Sequence, residues 1–347
     1  MPAMRQAFGG WFDVPDGYLN TANIGVPPAA AADAVVESVQ RWRCGIGRVE
    51  DFAEPVATAR RAFARLIGVD AERVAIGASV AQLVALVASS LPDRARVLVA
   101  AGEFTSVTFP FAAQQDRGVR VTEVPLEELP ERAGGHDVVA VSAVQSGSGR
   151  LVDLAALREA AERHHVRVLL DVTQAAGWLP LELSWADWVV CASYKWLLAP
   201  RGAAWLAVRP DAPLRPVVAN WFAGEEPMDT IYGLPLSLAG SARRYDLSPV
   251  WFSHVGAAVS MEWLAGQDIA EISRHCVGLA DEFRTALGMP PAGSAIVSVD
   301  RPDAVTNLTK AGIACSARAG RARLSFHLYN TRDDVARAVR ALGGTLT

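Results

Sequence analysis

The sequence predicts an α/β fold in which a mainly parallel sheet lies between layers of helices and a smaller α/β unit follows. Three observations carry this. Short apolar runs of strand length alternate with stretches of helix length from about residue 73 to residue 208, the rhythm of a sheet covered on both faces. Several of those runs are almost continuously apolar and rich in β-branched residues, as strands buried on two sides are. Beyond residue 208 the texture changes to a proline-rich stretch, then to two helical segments and a short series of strands and helices.

The elements follow in order. Residues 1–27 read as a mostly irregular segment, and Pro27 and Pro28 then open a helix reaching about Arg43, as proline in a first turn can. A second helix covers roughly 56–66. Residues 73–77 read as a strand, followed by a tight turn of small residues, Gly77, Ala78 and Ser79, and a helix over 80–90. Backbone N–H groups at such a helix start form a generic anion cradle, although plain capping by Ser79 explains the same residues. Strands are expected at 96–101 and 137–144, with helices near 108–117 and 153–165, and further strands at 166–170, 188–192 and 203–208. Helices at 251–265 and 268–287 come after the proline-rich stretch. The end reads as strand 295–299, helix 302–311, strands 313–317 and 323–328, and helix 331–342. The expected organisation is therefore an N-terminal segment (1–27), a large domain (28–249) and a small C-terminal domain (250–347).

Composition narrows the function. The 347 residues are 51% hydrophobic and 20% charged, with a formal charge of −4 and no block of lysine and arginine. That argues against general nucleic-acid binding. No apolar run is long enough to span a membrane, and the N-terminus lacks a secretory apolar core, so a cytoplasmic protein is expected. Cys44, Cys191, Cys276 and Cys315 are scattered without CxxC spacing. They suit neither a zinc site nor a disulfide framework, and no metal is expected.

The chemistry concentrates in residues 167–202. One predicted strand ends on Asp171, with Gln174 three residues on, and another closes on Ser193, Tyr194 and Lys195. Ligands of open α/β sheets bind beyond the carboxyl ends of the strands, so this acid and this lysine can face one crevice. A carboxylate for a pyridinium nitrogen and an amine that forms an imine are what pyridoxal phosphate requires. The plainer alternative is that Asp171 caps a helix and Lys195 lies on the surface. Phe104, after the strand 96–101, is either a core residue or a plate that stacks on a flat ring. Neither G-x-G-x-x-G nor a Walker loop is present, which disfavours a nucleotide-dependent enzyme.

In this order the motifs YLNTANIG, GASVAQ, EFTS, DVTQAAGW, SYKW with PRG, RRYDLSP and ARAGRARLSFHLYNT resemble the class V aminotransferase and cysteine desulfurase group of fold-type-I pyridoxal phosphate enzymes. The likeness covers nearly the whole chain. It implies a seven-stranded type of sheet in the large domain, pyridoxal 5'-phosphate as cofactor, a small-molecule amino acid or amine substrate, and a homodimer with shared active sites. It also implies roles. Lys195 would carry the cofactor and move the substrate α-proton, Asp171 would keep the ring nitrogen protonated, and Gln174 would bond the phenolic oxygen. Phe104 would stack on the ring, where many desulfurases carry histidine. Ser79, the Val80 backbone and Ser193 would hold the phosphate, with Ser248 reaching the phosphate of the partner subunit. Arg323 would clamp the substrate α-carboxylate, with Asn23 bordering the pocket; whether Arg318 or Arg243 contacts a second carboxylate is open, structural ion pairing being the more usual role of each.

Two departures bear on the reaction. Tyr194 precedes the lysine where desulfurase relatives usually have histidine. Arg318-Ala-Gly320 runs almost directly to Arg323 without the cysteine-bearing loop that accepts sulfur in desulfurases, and Cys315 lies before that motif in a predicted strand. These argue against a persulfide-forming desulfurase. The expected activity is that of a class V aminotransferase, with a β-eliminating C–S lyase or an epimerase as alternatives and a cofactor-binding regulatory protein as the non-enzymatic one.

Overall fold

The computed structural model describes residues 4–346. Its centre is a seven-stranded sheet built from β3 (Val74–Gly77), β4 (Arg96–Ala100), β5 (Arg120–Val124), β6 (Val138–Ser142), β7 (Arg167–Asp171), β8 (Trp188–Ala192) and β9 (Ala204–Val208), in the order β3-β9-β8-β7-β6-β4-β5. Every residue of β6, β8 and β9 is buried. Their side chains alternate between two apolar layers, as the period of two requires. Val189 and Cys191 join the layer that holds Phe63 and Leu157. Trp188 and Val190 join the layer that holds Leu83 and Phe111 from the helices Val80–Ser90 and Thr105–Ala112.

The sheet is mixed, because β9 runs antiparallel to both β3 and β8. Only residues 193–203 join β8 to β9, too few for the crossover that a parallel partner needs. The strand β5 is not visible in the sequence pattern. It is the edge strand of the sheet, and three of its five residues are exposed. Near the start, β1 (Arg5–Ala7) and β2 (Gly10–Phe12) form a small antiparallel ribbon in the segment expected to be irregular. Phe8 and Gly9, both at positive φ, make its two-residue turn.

A second, antiparallel sheet has the order β10 (Ile296–Val299), β12 (Arg321–Ser325), β11 (Ser316–Arg318). Its core gathers Phe283, Val297, Leu324 and Val339, and Leu19 from the N-terminal segment. That segment runs onto the sheet edge, with the Leu19 N–H donating to Ala314 O at 3.0 Å and the Ser325 N–H to Leu19 O at 2.9 Å. The helix Trp251–Ala265 packs Ala257, Met261 and Leu264 into the large core. The next helix, Ile269–Ala286, places Ile272 and Cys276 in the large core and Phe283 in the small one.

The proline-rich stretch is irregular apart from short 3-10 turns. One buried ion pair ties it down: Arg60 grips Asp246 with two bonds of 2.7 and 3.1 Å, and Asp246 also accepts the Ile76 N–H at 2.9 Å. Burial pushes the Asp246 carboxyl up, and the Arg60 guanidinium opposes this. Removing one member of such a pair strands the other charge in the core. Asp246→Ala is therefore expected to cost about 3–5 kcal/mol of stability, read as a lower midpoint in urea unfolding; an unchanged midpoint would assign the pair no structural weight.

Candidate active site

Lys195 occupies the short loop between β8 and β9 and opens on a cavity at the carboxyl ends of the parallel strands. The loop is pinned from outside by the N-terminal segment. The Gly25 N–H donates to the Tyr194 carbonyl at 2.9 Å, and a Cβ on Gly25 would collide with the Lys195 carbonyl oxygen. This close approach is what the glycine of YLNTANIG permits. The lysine is 6% exposed and, among the described residues, forms no ion pair. Burial pushes its pKa down to about 8, against the pull of Asp171, and the positive charges of Arg323 and Arg318 add to the decrease. A neutral, nucleophilic amine is thus accessible near physiological pH. Its Nζ lies 5.4 Å from the Phe104 ring centroid and 5.7 Å from that of Tyr194.

Asp171 ends β7 and lines the same cavity. The Thr173 N–H donates to its Oδ1 at 2.8 Å. Burial pushes its pKa up to about 6, with the Thr173 bonds and Lys195 working the other way. A carboxylate held in so dry a place gains most from a cationic or N–H donor in front of it.

Gln174 is held by its surroundings. The Trp196 indole N–H donates to its Oε1 at 2.7 Å, and its Nε2 donates to Ala22 O at 3.0 Å and to Ser146 Oγ at 3.1 Å. The tryptophan therefore decides which end of the amide is the donor. Ser146 is the joint between this amide and Arg323, whose Nη1 donates to Ser146 O at 2.7 Å and to Ser146 Oγ at 3.0 Å.

Arg323 stands in β12, where its Nε donates to Ser316 Oγ at 3.2 Å. It is 1% exposed, and its Nη2 is buried with no hydrogen-bond partner. No carboxylate pairs with it among the described residues. Burial, with Arg318 adding, pushes its pKa down to about 10. A buried guanidinium with an empty donor face is built for an anion from outside the chain.

The remaining predicted positions divide. Ser79, Val80 and Phe104 line the cavity. Ser79 caps the helix Val80–Ser90 by accepting the Gln82 N–H at 3.3 Å. A Cβ on Gly77 would collide with Gln82 and Leu83, so this helix start depends on glycine. Ser193 instead turns its hydroxyl to the Pro200 carbonyl at 2.5 Å, within the lysine loop. Ser248 is half-buried in RRYDLSP, next to Leu247, whose N–H donates to Ile76 O at 3.0 Å. Asn23 accepts from Arg318 Nη2 at 2.8 Å. Arg243 donates to the Gly224 and Glu225 carbonyls, in the proline-rich stretch.

Ser146, Thr173 and Arg201 also line the cavity, and sequence reasoning passes over them. Arg201 stacks its guanidinium 5.4 Å from the Tyr194 centroid. Glu103 is missed too. It is buried and accepts from Ser142 N and Oγ and from Gln145 Nε2 at 2.6–2.8 Å, locking the β4 and β6 ends together. Its one signal is an acid at the end of an apolar run, the signal that finds Asp171.

An aldehyde-reactive amine, a dry carboxylate, an amide donor, a phenyl plate and a helix N-terminus around one cavity fit pyridoxal phosphate. The chain matches the family described as aminotransferase class-V over residues 40–316. It is 27% identical over 332 residues to the uncharacterized aminotransferase YcbU of Bacillus subtilis (strain 168), covering 88% of this chain and 86% of that protein. It is 32% identical over 182 residues to the isopenicillin N epimerase of Streptomyces clavuligerus, covering 47% and 46%. The fold superposes on the cystine C–S lyase C-DES with a TM-score of 0.85 at 19% identity, covering 95% of this chain and 98% of that one. A cysteine desulfurase of Thermococcus onnurineus NA1 gives 0.81 at 17%, covering 94% of each chain. The chain belongs to the aminotransferase class-V family and is a pyridoxal 5'-phosphate-dependent enzyme of fold type I.

Proposed function

We propose that the protein is an aminotransferase acting on an α-amino acid. The observation that carries the reading is that, among the described residues, Lys195 is the one amine lining the cavity, with no histidine or cysteine beside it. Transfer of an amino group needs one base that takes a proton from the substrate α-carbon and returns it to a neighbouring carbon. Epimerisation needs a second acid on the opposite face. Tyr194, a hydroxyl in the cavity lining, adjoins the lysine itself.

When bound, pyridoxal phosphate supplies the electron sink that makes the α-proton removable. Around it, Lys195 would move the proton, Asp171 would hold a positive charge on the ring nitrogen, and the Phe104 ring would fix the orientation of the flat group, with Gln174 Nε2 joining it on exchanging its bond to Ser146. Ser79 and the Val80 N–H seat a phosphate at the helix start, and Arg323 holds the substrate carboxylate. Exposed apolar side chains, among them Trp42, Phe109, Tyr232 and Leu234, support a homodimer, in which Ser248 would serve the neighbouring site.

A half-reaction tests the activity. Each amino acid is incubated with holoenzyme, and the cofactor is recovered. Amino transfer leaves the cofactor in its amine form with one equivalent of keto acid. Release of ammonia with the cofactor unchanged would assign β-elimination, and inversion with loss of α-deuterium would assign epimerisation.

The carboxylate clamp has its own test. Arg323→Lys is expected to keep the fold and the cofactor but to raise KM for α-amino acids by roughly 10- to 100-fold, since a charged hydrogen bond is worth about 1.5–3 kcal/mol. An amine lacking the carboxylate should be affected far less. Equal effects on both substrates would remove Arg323 from the clamp.

A further inference from the structure

Resting on the proposed reading of the site, we infer that Glu103 is a positioning residue that joins the seat of the flat ring to the substrate clamp. The inference starts from the turn after β4, where Gly102 takes a φ of 74° and Glu103 reaches across to the end of β6, the parallel neighbour of β4. The residue is 7% exposed. Its Oε1 accepts the Phe104 N–H at 2.8 Å and the Ser142 hydroxyl at 2.6 Å, and its Oε2 accepts the Ser142 N–H and the Gln145 side-chain amide, both at 2.8 Å. Three of these donors are N–H groups that cannot accept in return. The position therefore requires two acceptor oxygens, which an acid has and an amide lacks.

Every one of these donors belongs to the catalytic site or adjoins it. Phe104 and Ser142 line the cavity, and Gln145 precedes Ser146, which lines it as well. Phe104 is 44% exposed, so few side-chain contacts hold its ring and the backbone decides where it stands. That backbone is fixed on both sides, by the N–H bond to Glu103 and by the Val107 N–H, which donates to the Phe104 carbonyl at 2.8 Å. Gln145 carries the other branch. Its bond to Glu103 holds the start of the turn whose Ser146 meets Arg323 and Gln174.

A single residue separates this carboxylate from Asp171. Ser142, which gives Glu103 two bonds, lies opposite Asp171 in the pairing of β6 with β7. Burial does most to raise the Asp171 pKa, and the negative charge of Glu103 adds to the rise. One buried acid is thus tied to the plate, to the turn that bonds the clamp and to the strand end that carries the partner of the ring nitrogen. Displacing it disturbs all of them together.

The experiment compares Glu103→Gln and Gln145→Met in reconstituted holoenzyme. It reads the dissociation constant of pyridoxal phosphate, the circular dichroism of the visible band, and the dissociation constant of butanoate, an unreactive monocarboxylate. Urea midpoints report the stability of each variant separately. Glu103→Gln sets an amide NH2 against N–H donors. It is expected to change the visible dichroism and to weaken cofactor and butanoate by about tenfold each, the worth of one lost hydrogen bond. Gln145→Met cuts only the branch to the turn. It should weaken butanoate alone, and in the double variant its effect on butanoate should not add to that of Glu103→Gln. Should Glu103→Gln fail to fold, Glu103→Asp takes its place in the same comparison, since it keeps both oxygens but draws them back by one methylene.

The inference is overturned if the Glu103 variant lowers the urea midpoint while both constants and the dichroism keep their wild-type values, or if Gln145→Met leaves butanoate binding unchanged. A wild-type protein that takes up no pyridoxal phosphate, or one whose butanoate affinity is untouched by Arg323→Gln, overturns the reading of the site beneath it. Normal cofactor uptake and a working Arg323 clamp, with no response to Glu103, overturn this inference alone.

Discussion

Replacing Lys195 with alanine is expected to lower turnover by on the order of 10⁴-fold or more, because one side chain serves as both nucleophile and base. The chain makes this test unusually clean. Its one other lysine, Lys310, lies exposed at the end of the helix Ala304–Lys310. Borohydride treatment of the holoenzyme followed by peptide mapping should place the label on Lys195. A label on Lys310, or an active Lys195→Ala enzyme, would reverse the assignment. The same residue predicts a pH dependence. Burial lowers its pKa to about 8, and the neutral amine is the reactive form, so reactivity rises as the pH increases. In the apoprotein, modification of Lys195 by an amine-reactive reagent should be half-maximal near pH 8, about two units below the midpoint of an ordinary lysine.

Asp171→Asn is the second large effect. Asparagine keeps the shape of the side chain but removes the charge that holds a proton on the ring nitrogen. Cofactor should therefore remain bound while removal of the α-proton slows by roughly 10²- to 10⁴-fold. Exchange of the substrate α-deuterium with solvent measures that step directly. Exchange at the wild-type rate would remove Asp171 from the chemistry, and loss of the cofactor would instead make it a binding residue. The dry setting that raises Asp171 to about 6 is also what gives its charge force, since water does not screen it.

Much of this was legible in the sequence, for a physical reason. Strands buried on both faces must be apolar throughout, so β6, β7, β8 and β9 announce themselves, and so does the acid or lysine just beyond an end. The edge strand β5 has no such constraint. Arg120, Thr122 and Glu123 are exposed, and the run carries no strand signal. The direction of β9 depends on how far residues 193–203 can reach, a matter of geometry rather than of composition. Ser146 and Trp196 escape for a different reason. Each acts by meeting a distant side chain, Arg323 or Gln174, and a serine in a glycine-rich turn or a tryptophan beside a lysine carries no sign of such a meeting.

The way the N-terminal segment lies on the second sheet decides when the enzyme comes into being. Residues 17–25 are synthesised long before their partners Ala314, Ser325 and Asp334. Gly17 N–H bonds Asp334 at 2.7 Å, and Ala22 N–H bonds Ser325 Oγ at 2.9 Å. Until those partners emerge, Ala22 has nothing to hold it against Gln174, and Gly25 nothing to hold it against the lysine loop. A nascent chain can complete its central sheet while the segment that bonds Gln174 and the lysine loop is still unattached. Attachment of the N-terminal segment thus waits for those partners, and a chain that stops short of residue 313 carries both Asp171 and Lys195 without the groups that hold this segment in place.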